Sequence, residues 1–374
     1  MCWRTPPESA PHKSSQAACA FNSLPNFGRS PCVSCFRDNG AAFHGVLDES
    51  PKPHPDRMAA ASPPLREFTF AELHAATEGF SDLLGEGGFG KVYRGRMVLP
   101  VGGSSVSDGG NSVDVAGYVG ELETEVAVKV MKGIPAEYER FSAEMVASSS
   151  INHPNVLRLE DVALNPEKRP LFVYELAYLG DLETYLTRVR RNEDWFPWKD
   201  RVKVALGCAK ALAVIHEKML IHGDFKPSRV LLRQDLTPVV AGVGVNRAVE
   251  EWDIRVPSAE ISTPGYIDPN YVHTGKIRQA TDIYSFGVFL LELIFGYDPL
   301  DKRFEELKKV VSREDFNDPS LVTDPAIEGE WNKVHVLKMI LLARFATFPD
   351  LVRRPKMGDI VAKLKGMSVI SGHR

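Results

Sequence analysis

Apolar and polar residues change rhythm twice along this chain, and the changes divide it into three stretches. Residues 1–64 are rich in Pro, Ser and Ala, carry Pro51-Lys52-Pro53-His54-Pro55, and follow neither a helical nor a strand period, which predicts a disordered tail. From residue 65 the pattern tightens. Phe68-Thr69-Phe70-Ala71-Glu72-Leu73-His74-Ala75-Ala76-Thr77 spaces its apolar side chains for a short amphipathic helix, a docking segment over 65–79. Strand-type patterning then marks 83–97, 124–130, 157–164 and 170–176, with a helix over 135–151 that sets Phe141, Met145 and Ser148 at helical spacing. Beyond Gly180 the period is helical, at 182–191, 198–218, 281–295 and in several stretches of 303–365.

The strand pattern breaks where Gly102-Gly103-Ser104-Ser105 and Asp108-Gly109-Gly110-Asn111 cluster, which predicts a long insert over about 97–122 between the second and third strands. The chain therefore reads as an α+β protein with a small β-rich lobe over 80–177, a larger helical lobe over 178–367 and a short tail over 368–374. Trp195, Phe196 and Trp198 cluster before the helix at 198–218 and are expected to pack its start. No repeat of solenoid period is present.

With 374 residues, 44% of them hydrophobic, the chain has room for a substantial core. A formal net charge of -4 leaves no global field for nucleic acid or anionic lipid, so no nucleic-acid partner is expected. Cys2, Cys19, Cys32 and Cys35 fall in the tail and Cys208 in an apolar helical pattern, which is no secreted disulfide framework. Cys32-x-x-Cys35 lacks a second pair at ligand spacing, so no metal site is expected there. The start has no apolar core of signal-peptide length, and the longest apolar run, 286–295, is interrupted by Glu292 and too short to span a bilayer. Cys2 stands where N-myristoylation requires glycine; an acyl chain on Cys2 or Cys19 would give only weak peripheral membrane association. The expected location is cytoplasmic, at most peripheral at the plasma membrane.

Candidate chemistry begins at Gly85-Glu86-Gly87-Gly88-Phe89-Gly90, which continues into Lys91-Val92-Tyr93-Arg94-Gly95 as strand. A dinucleotide-binding glycine motif would open a helix instead. A strand-to-strand glycine loop covers phosphates with its backbone N–H groups, because no side chain intervenes. Val126-Ala127-Val128-Lys129 puts an ammonium on the third strand, and Glu144 on the following helix is placed to hold it. Ile221-His222-Gly223-Asp224-Phe225-Lys226-Pro227 then offers a carboxylate and a cation close together.

These residues, with Phe68-Thr69-Phe70-Ala71-Glu72-Leu73, Leu171-Phe172-Val173-Tyr174-Glu175, Thr263-Pro264-Gly265-Tyr266, Thr281-Asp282-Ile283-Tyr284-Ser285-Phe286-Gly287-Val288 and Arg354-Pro355, occur in the order of one family. The stretch from 68 to about 367 resembles the protein kinases, and within them the plant receptor-like and receptor-like cytoplasmic kinases of the Pelle-related group. The resemblance implies a bilobal protein-kinase-like fold with ATP between the lobes. It implies adenine on backbone groups of Glu175 and Ala177, Tyr174 as gatekeeper, and Leu84 and Val92 packed on the base. Gly85, Gly87 and Gly90 would cover the phosphates, and Lys129 with Glu144 would hold them. Asp224 matches the acceptor of the substrate hydroxyl's proton, Lys226 the cation that steadies the phosphoryl group, and Asp282 the anchor of that loop. Ser258, Ser262 and Thr263 fall in the activation segment, as candidate phosphoacceptors for a partner kinase.

The departures from the family pattern decide the functional expectation. Arg229 stands five residues after Asp224 where the family carries a metal-binding Asn, and Gly242-Val243-Gly244 replaces Asp-Phe-Gly. Both side-chain oxygens for Mg²⁺ are thereby lost, which should slow phosphoryl transfer by roughly three or more decades. Gly223 replaces the Arg that receives an activation-segment phosphate, and Asp268-Pro269-Asn270 replaces Ala-Pro-Glu. The ion pair expected of Arg354 would then become at best a hydrogen bond to Asn270, with a loosened activation segment. Arg229 itself has three expected placements: near the phosphates, paired with Asp224, or in solvent. The expectation is a pseudokinase that binds ATP with weak or absent Mg²⁺ and partners an active kinase or receptor complex. The alternatives are a weak Ser/Thr kinase and an adaptor that binds no nucleotide.

Overall fold

A computed structural model describes residues 68–87, 90–100, 121–132, 151–167, 169–243 and 263–368. The first helix, α1 (Phe70–Ala76), closes on itself: Thr69 Oγ1 accepts the Glu72 N–H at 3.2 Å while Glu72 Oε2 accepts the Thr69 N–H at 2.7 Å. Its Leu73 is buried among Met97, Val126, Val128, Leu171 and Val173, and Asp161 takes the Phe68 N–H at 2.5 Å. The docking segment is thus fastened to the sheet by apolar contact and by one buried carboxylate.

That sheet comprises β1 (Leu83–Gly87), β2 (Gly90–Pro100), β3 (Glu121–Met131), β4 (Leu159–Leu164) and β5 (Pro170–Glu175), antiparallel in the order β1-β2-β3-β5-β4. The β2–β3 ladder runs without a slip from Gly90↔Met131 to Pro100↔Glu121. Strand structure therefore passes the expected break at 97, because Val98 and Leu99 still pair across the ladder, and residues 101–120 of the expected insert lie outside the described residues. Also outside them lie the expected tail over 1–64, residues 135–150 of the expected helix, and Glu144, Gly244, Ser258 and Ser262.

The remaining described chain is mostly helical: α2 (Leu182–Arg190), α3 (Trp198–Glu217), α4 (Pro269–Thr274), α5 (Gln279–Phe295), α6 (Lys302–Val311), α7 (Lys333–Ala346) and α8 (Met357–Ser368). A hairpin of β6 (Val230–Leu232) and β7 (Pro238–Val240) interrupts it after α3. The apolar run of the sequence is α5, buried from Thr281 to Phe295 at the centre of the helical core. Its two acidic residues, Asp282 and Glu292, are buried as well, and both find partners. Phe196 and Trp198 are 0% and 3% exposed at the start of α3, whereas Trp195 is 52% exposed, so two of the three aromatics pack as expected. A smaller cluster of Met131, Leu157, Leu159, Phe172, Tyr174 and Val239 joins the sheet to β7. Among the described residues no helix is long and apolar enough to cross a membrane.

Candidate functional site

The roof of the site is β1 and β2. Leu84 falls where their register slips between Leu83↔Tyr93 and Gly85↔Val92, and it stays exposed. A Cβ on Gly85 would meet nothing within 4 Å, whereas one on Gly90 would lie 2.4 Å from the Val130 carbonyl oxygen. Gly90 is therefore demanded by the close passage of β3, a reason the spacing of the glycine motif does not reveal. Gly87 ends β1, and Glu86 before it pairs with Lys132 and with Lys91. Lys129 sits in register with Val92 on one side and Phe172 on the other. Its expected partner Glu144 lies outside the described residues.

The connection between the lobes follows β5. Tyr174 is buried beside Phe172, with ring centroids 6.2 Å apart. The Ala177 carbonyl accepts the Gly180 N–H at 3.2 Å, while the Ala177 N–H donates to no backbone carbonyl among the described residues. Glu175 is no solvated charge: Arg233 Nη2 donates to its two carboxylate oxygens at 2.9 and 2.8 Å, and Arg233 Nη1 donates to the Pro154 carbonyl at 3.0 Å. Sequence reasoning misses Arg233, since nothing local marks a partner so distant in the chain.

The loop that carries Asp224 is held from below by Asp282. One carboxylate oxygen accepts the His222 N–H at 2.8 Å, the other accepts the Gly223 N–H at 2.8 Å, and His216 Nε2 lies 2.9 Å away. The buried His222 ring accepts the Asp224 N–H at Nδ1 (3.3 Å) and places Nε2 at 3.0 Å from the Ala241 carbonyl. That pattern defines the neutral Nε2–H tautomer, and burial, which lowers the imidazole pKa, agrees with it. His222 thereby ties the loop to the strand that leads into Gly242.

Asp224 itself is enclosed by donors. Its Oδ2 receives Arg229 Nη2 at 2.9 Å and Nε at 3.2 Å and lies 3.3 Å from Lys226 Nζ; its Oδ1 receives the Thr263 hydroxyl at 3.3 Å. Lys226 also donates to Thr263 Oγ1. Thr263, a candidate phosphoacceptor, is thus partly exposed, with its hydroxyl engaged by Asp224 and Lys226. Of the three placements expected for Arg229, the structure has the pairing with Asp224. The 3₁₀ turn Pro227–Arg229 brings it there, with the Arg229 N–H on the Lys226 carbonyl at 2.9 Å and the Ala241 N–H on the Arg229 carbonyl at 2.8 Å.

Gly242 has φ +80, in the left-handed region that favours glycine. A Cβ there would lie 3.6 Å from Arg229 Cδ and 3.8 Å from Nε and Nη1, so the guanidinium borders the space of the missing side chain. These residues are poorly matched to the oxygen ligands that a divalent cation takes. Positions 229 and 242 supply no side-chain oxygen, and the remaining carboxylate already faces two cations. Among the described residues no group of three or more His, Cys, Asp or Glu could hold a metal.

Arg354 corrects another expectation. Its guanidinium is not left with Asn270: Nη1 and Nη2 donate to Asp268 Oδ2 and Oδ1 at 2.6 and 2.9 Å, and both side chains are 1% exposed. Asp268 is also the N-cap of α4 and accepts the Asn270 N–H at 3.0 Å, which turns its carboxylate toward Arg354. Asn270 Nδ2 donates to the Pro349 carbonyl at 2.7 Å instead. The buried ion pair is kept, with its acid moved from position 270 to 268. Nearby, Tyr266 donates to Glu292, which also receives Arg190 Nη2 at 2.5 Å, so the end of the activation segment is firmly held.

Comparison with known proteins agrees with this geometry. A family model described as protein tyrosine and serine/threonine kinase matches residues 79–325. Similar proteins from Arabidopsis thaliana include the probable serine/threonine-protein kinase PBL18, 37% identical over 324 residues, which are 83% of this chain and 79% of that protein. The probable serine/threonine-protein kinase PBL3 is 33% identical over 339 residues, 86% of this chain and 74% of that protein. The receptor-like serine/threonine-protein kinase ALE2 is 33% identical over 323 residues, 82% of this chain, but the aligned part spans only 39% of ALE2. With the family model matched across both lobes and relatives aligned over more than four fifths of its length, this chain belongs to the protein tyrosine and serine/threonine kinase family.

Proposed function

We propose that this chain is a pseudokinase: a kinase-fold signalling protein that holds ATP in its cleft, transfers phosphate very slowly or not at all, and acts as a scaffold or allosteric partner of an active kinase or receptor complex. The observation that carries this reading is the Arg229–Asp224 pair beside Gly242. A substrate hydroxyl would have to give its proton to Asp224, and two cations on that carboxylate make it a poorer base. Positions 229 and 242 leave the metal that neutralises charge between the β- and γ-phosphates without a side-chain ligand. One lost electrostatic contributor of this kind costs about two to three decades in rate.

The nucleotide half of the reading rests on Leu84, Val92, Gly85, Gly87, Gly90 and Lys129, with Glu144 as the expected partner of Lys129, and on backbone groups of Glu175 and Ala177 at the hinge. The partner half, and a cytoplasmic placement beside receptor complexes, rest on relatives named as receptor-like and probable serine/threonine kinases.

The test is incorporation of labelled γ-phosphate by the purified chain with Mg²⁺, beside Asp224→Asn and Lys129→Met. Wild type should incorporate no more than either variant. Incorporation that both substitutions abolish would overturn the proposal in favour of a weak Ser/Thr kinase, a reading favoured by the Lys226–Thr263–Asp224 contacts that remain assembled.

A further inference from the structure

We propose that Arg229 takes the place of a divalent cation in this cleft, so that a nucleoside triphosphate binds without metal, its phosphates meeting the free edge of the guanidinium. This rests on the nucleotide-binding reading above and deepens it.

Two guanidinium nitrogens, Nε and Nη2, are committed to Asp224 Oδ2 at 3.2 and 2.9 Å. The third, Nη1, has no hydrogen-bond partner among the described residues and lies 3.8 Å from the point where a Cβ of residue 242 would stand. One edge of a planar cation thus neutralises the carboxylate that would repel a phosphate. The other edge borders the space that a metal-binding side chain at 242 would occupy.

The charge balance points the same way. In the family pattern position 229 is a neutral Asn and position 242 an anionic Asp. Here position 229 is cationic and position 242 neutral, so the two substitutions together raise the fixed charge of the site by two, the charge of one Mg²⁺. With Asp224 and Lys226 counted, the protein groups change from a net single negative charge, which needs a metal before it attracts phosphate, to a net single positive charge.

Preorganisation completes the case. The backbone of Arg229 is pinned on both sides, to the Lys226 carbonyl at 2.9 Å and by the Ala241 N–H at 2.8 Å, and its head is held on Asp224 before any ligand arrives. A guanidinium fork held in this way suits phosphate oxygens, and little side-chain freedom remains to be lost on binding.

The test is calorimetric titration of the full chain with ATP, once in excess MgCl₂ and once in excess EDTA, with adenosine as a phosphate-free probe. Wild type should bind ATP in EDTA at least as tightly as in excess MgCl₂, where the metal competes with the guanidinium for the phosphates. Arg229→Gln should weaken ATP binding in EDTA by about tenfold or more, the size of one charge-assisted hydrogen bond, and leave adenosine binding unchanged. ATP binding by wild type only in MgCl₂ would overturn the metal-free site while leaving the nucleotide reading intact. Equal ATP affinity of wild type and Arg229→Gln in EDTA would overturn it as well. Binding of neither ATP nor adenosine in either buffer would defeat the nucleotide reading and this inference with it.

Discussion

The buried anchors of the helical lobe and the phosphate end of the cleft depart from the family pattern in opposite ways. At the anchor, Arg354 has lost a glutamate at position 270 and regained a carboxylate at 268, so a fully buried ion pair persists. At the cleft, no described residue replaces the oxygens lost at 229 and 242, and a cation stands beside Asp224 instead. The difference separates what folding requires from what chemistry alone requires. An unpaired guanidinium at 1% exposure would cost several kcal/mol of stability, so its partner has to exist somewhere. The residues at 229 and 242 anchor no fully buried charge, so folding sets no such demand on them.

The sharpest way to break this contrast is to remove one acid from each region. Asp268→Asn leaves Arg354 buried without its counter-charge and should cost about 3–5 kcal/mol in urea unfolding. Asp224→Asn, at a half-open site, should cost about 1 kcal/mol or less. Equal losses would erase the distinction between anchor and cleft.

Glu292 extends the anchor and adds a pH signature. Burial outweighs its contacts with Arg190 and Tyr266 and pushes its carboxyl from 4.5 up to about 7. A group with a raised pKa in the folded state contributes stability that is complete below pH 4.5 and is lost as pH rises through about 7. Glu292→Gln should therefore remove a decline of up to about 3 kcal/mol across that interval, read as the wild-type-minus-variant difference in unfolding free energy against pH. A difference that does not vary with pH would make Glu292 an ordinary ionised partner of Arg190.

The smallest effect belongs to the residue that would hold the ion pair if the family's position were kept. Asn270→Ala removes the bond to the Pro349 carbonyl and should cost about 0.5–1.5 kcal/mol. A loss as large as that of Asp268→Asn would return the anchoring role to position 270.

Both lobes and the short loop around Asp224 are legible from sequence because they depend on local order. Strand alternation and the apolar circumference of α5 locate the sheet and the core, and Asp224, Lys226 and Arg229 share one short loop whose spacing is its geometry. Illegible features involve partners far apart in the chain. Arg233 on Glu175, Asp268 on Arg354 and Thr263 on Asp224 arise from the packing of elements, which periodicity does not encode. Asp268 before Pro269 does carry a helix N-cap signal, and that cap is what aims its carboxylate. The hairpin of β2 and β3 outlasts its predicted ends for a related reason: cross-strand pairing extends strand structure to Pro100 and back from Glu121, where the patterning of each strand alone has faded.

On the proposed reading, a divalent metal carried by the nucleotide gains no side-chain ligand from positions 229 and 242. Water-proton relaxation by Mn²⁺ tests it most directly, comparing ATP with wild type, ATP with Arg229→Asn/Gly242→Asp, and ATP alone. The expected result is enhancement by wild type no greater than that of Mn²⁺–ATP in buffer, with a clear rise for the double variant. Enhancement by wild type as large as that of the double variant would contradict it.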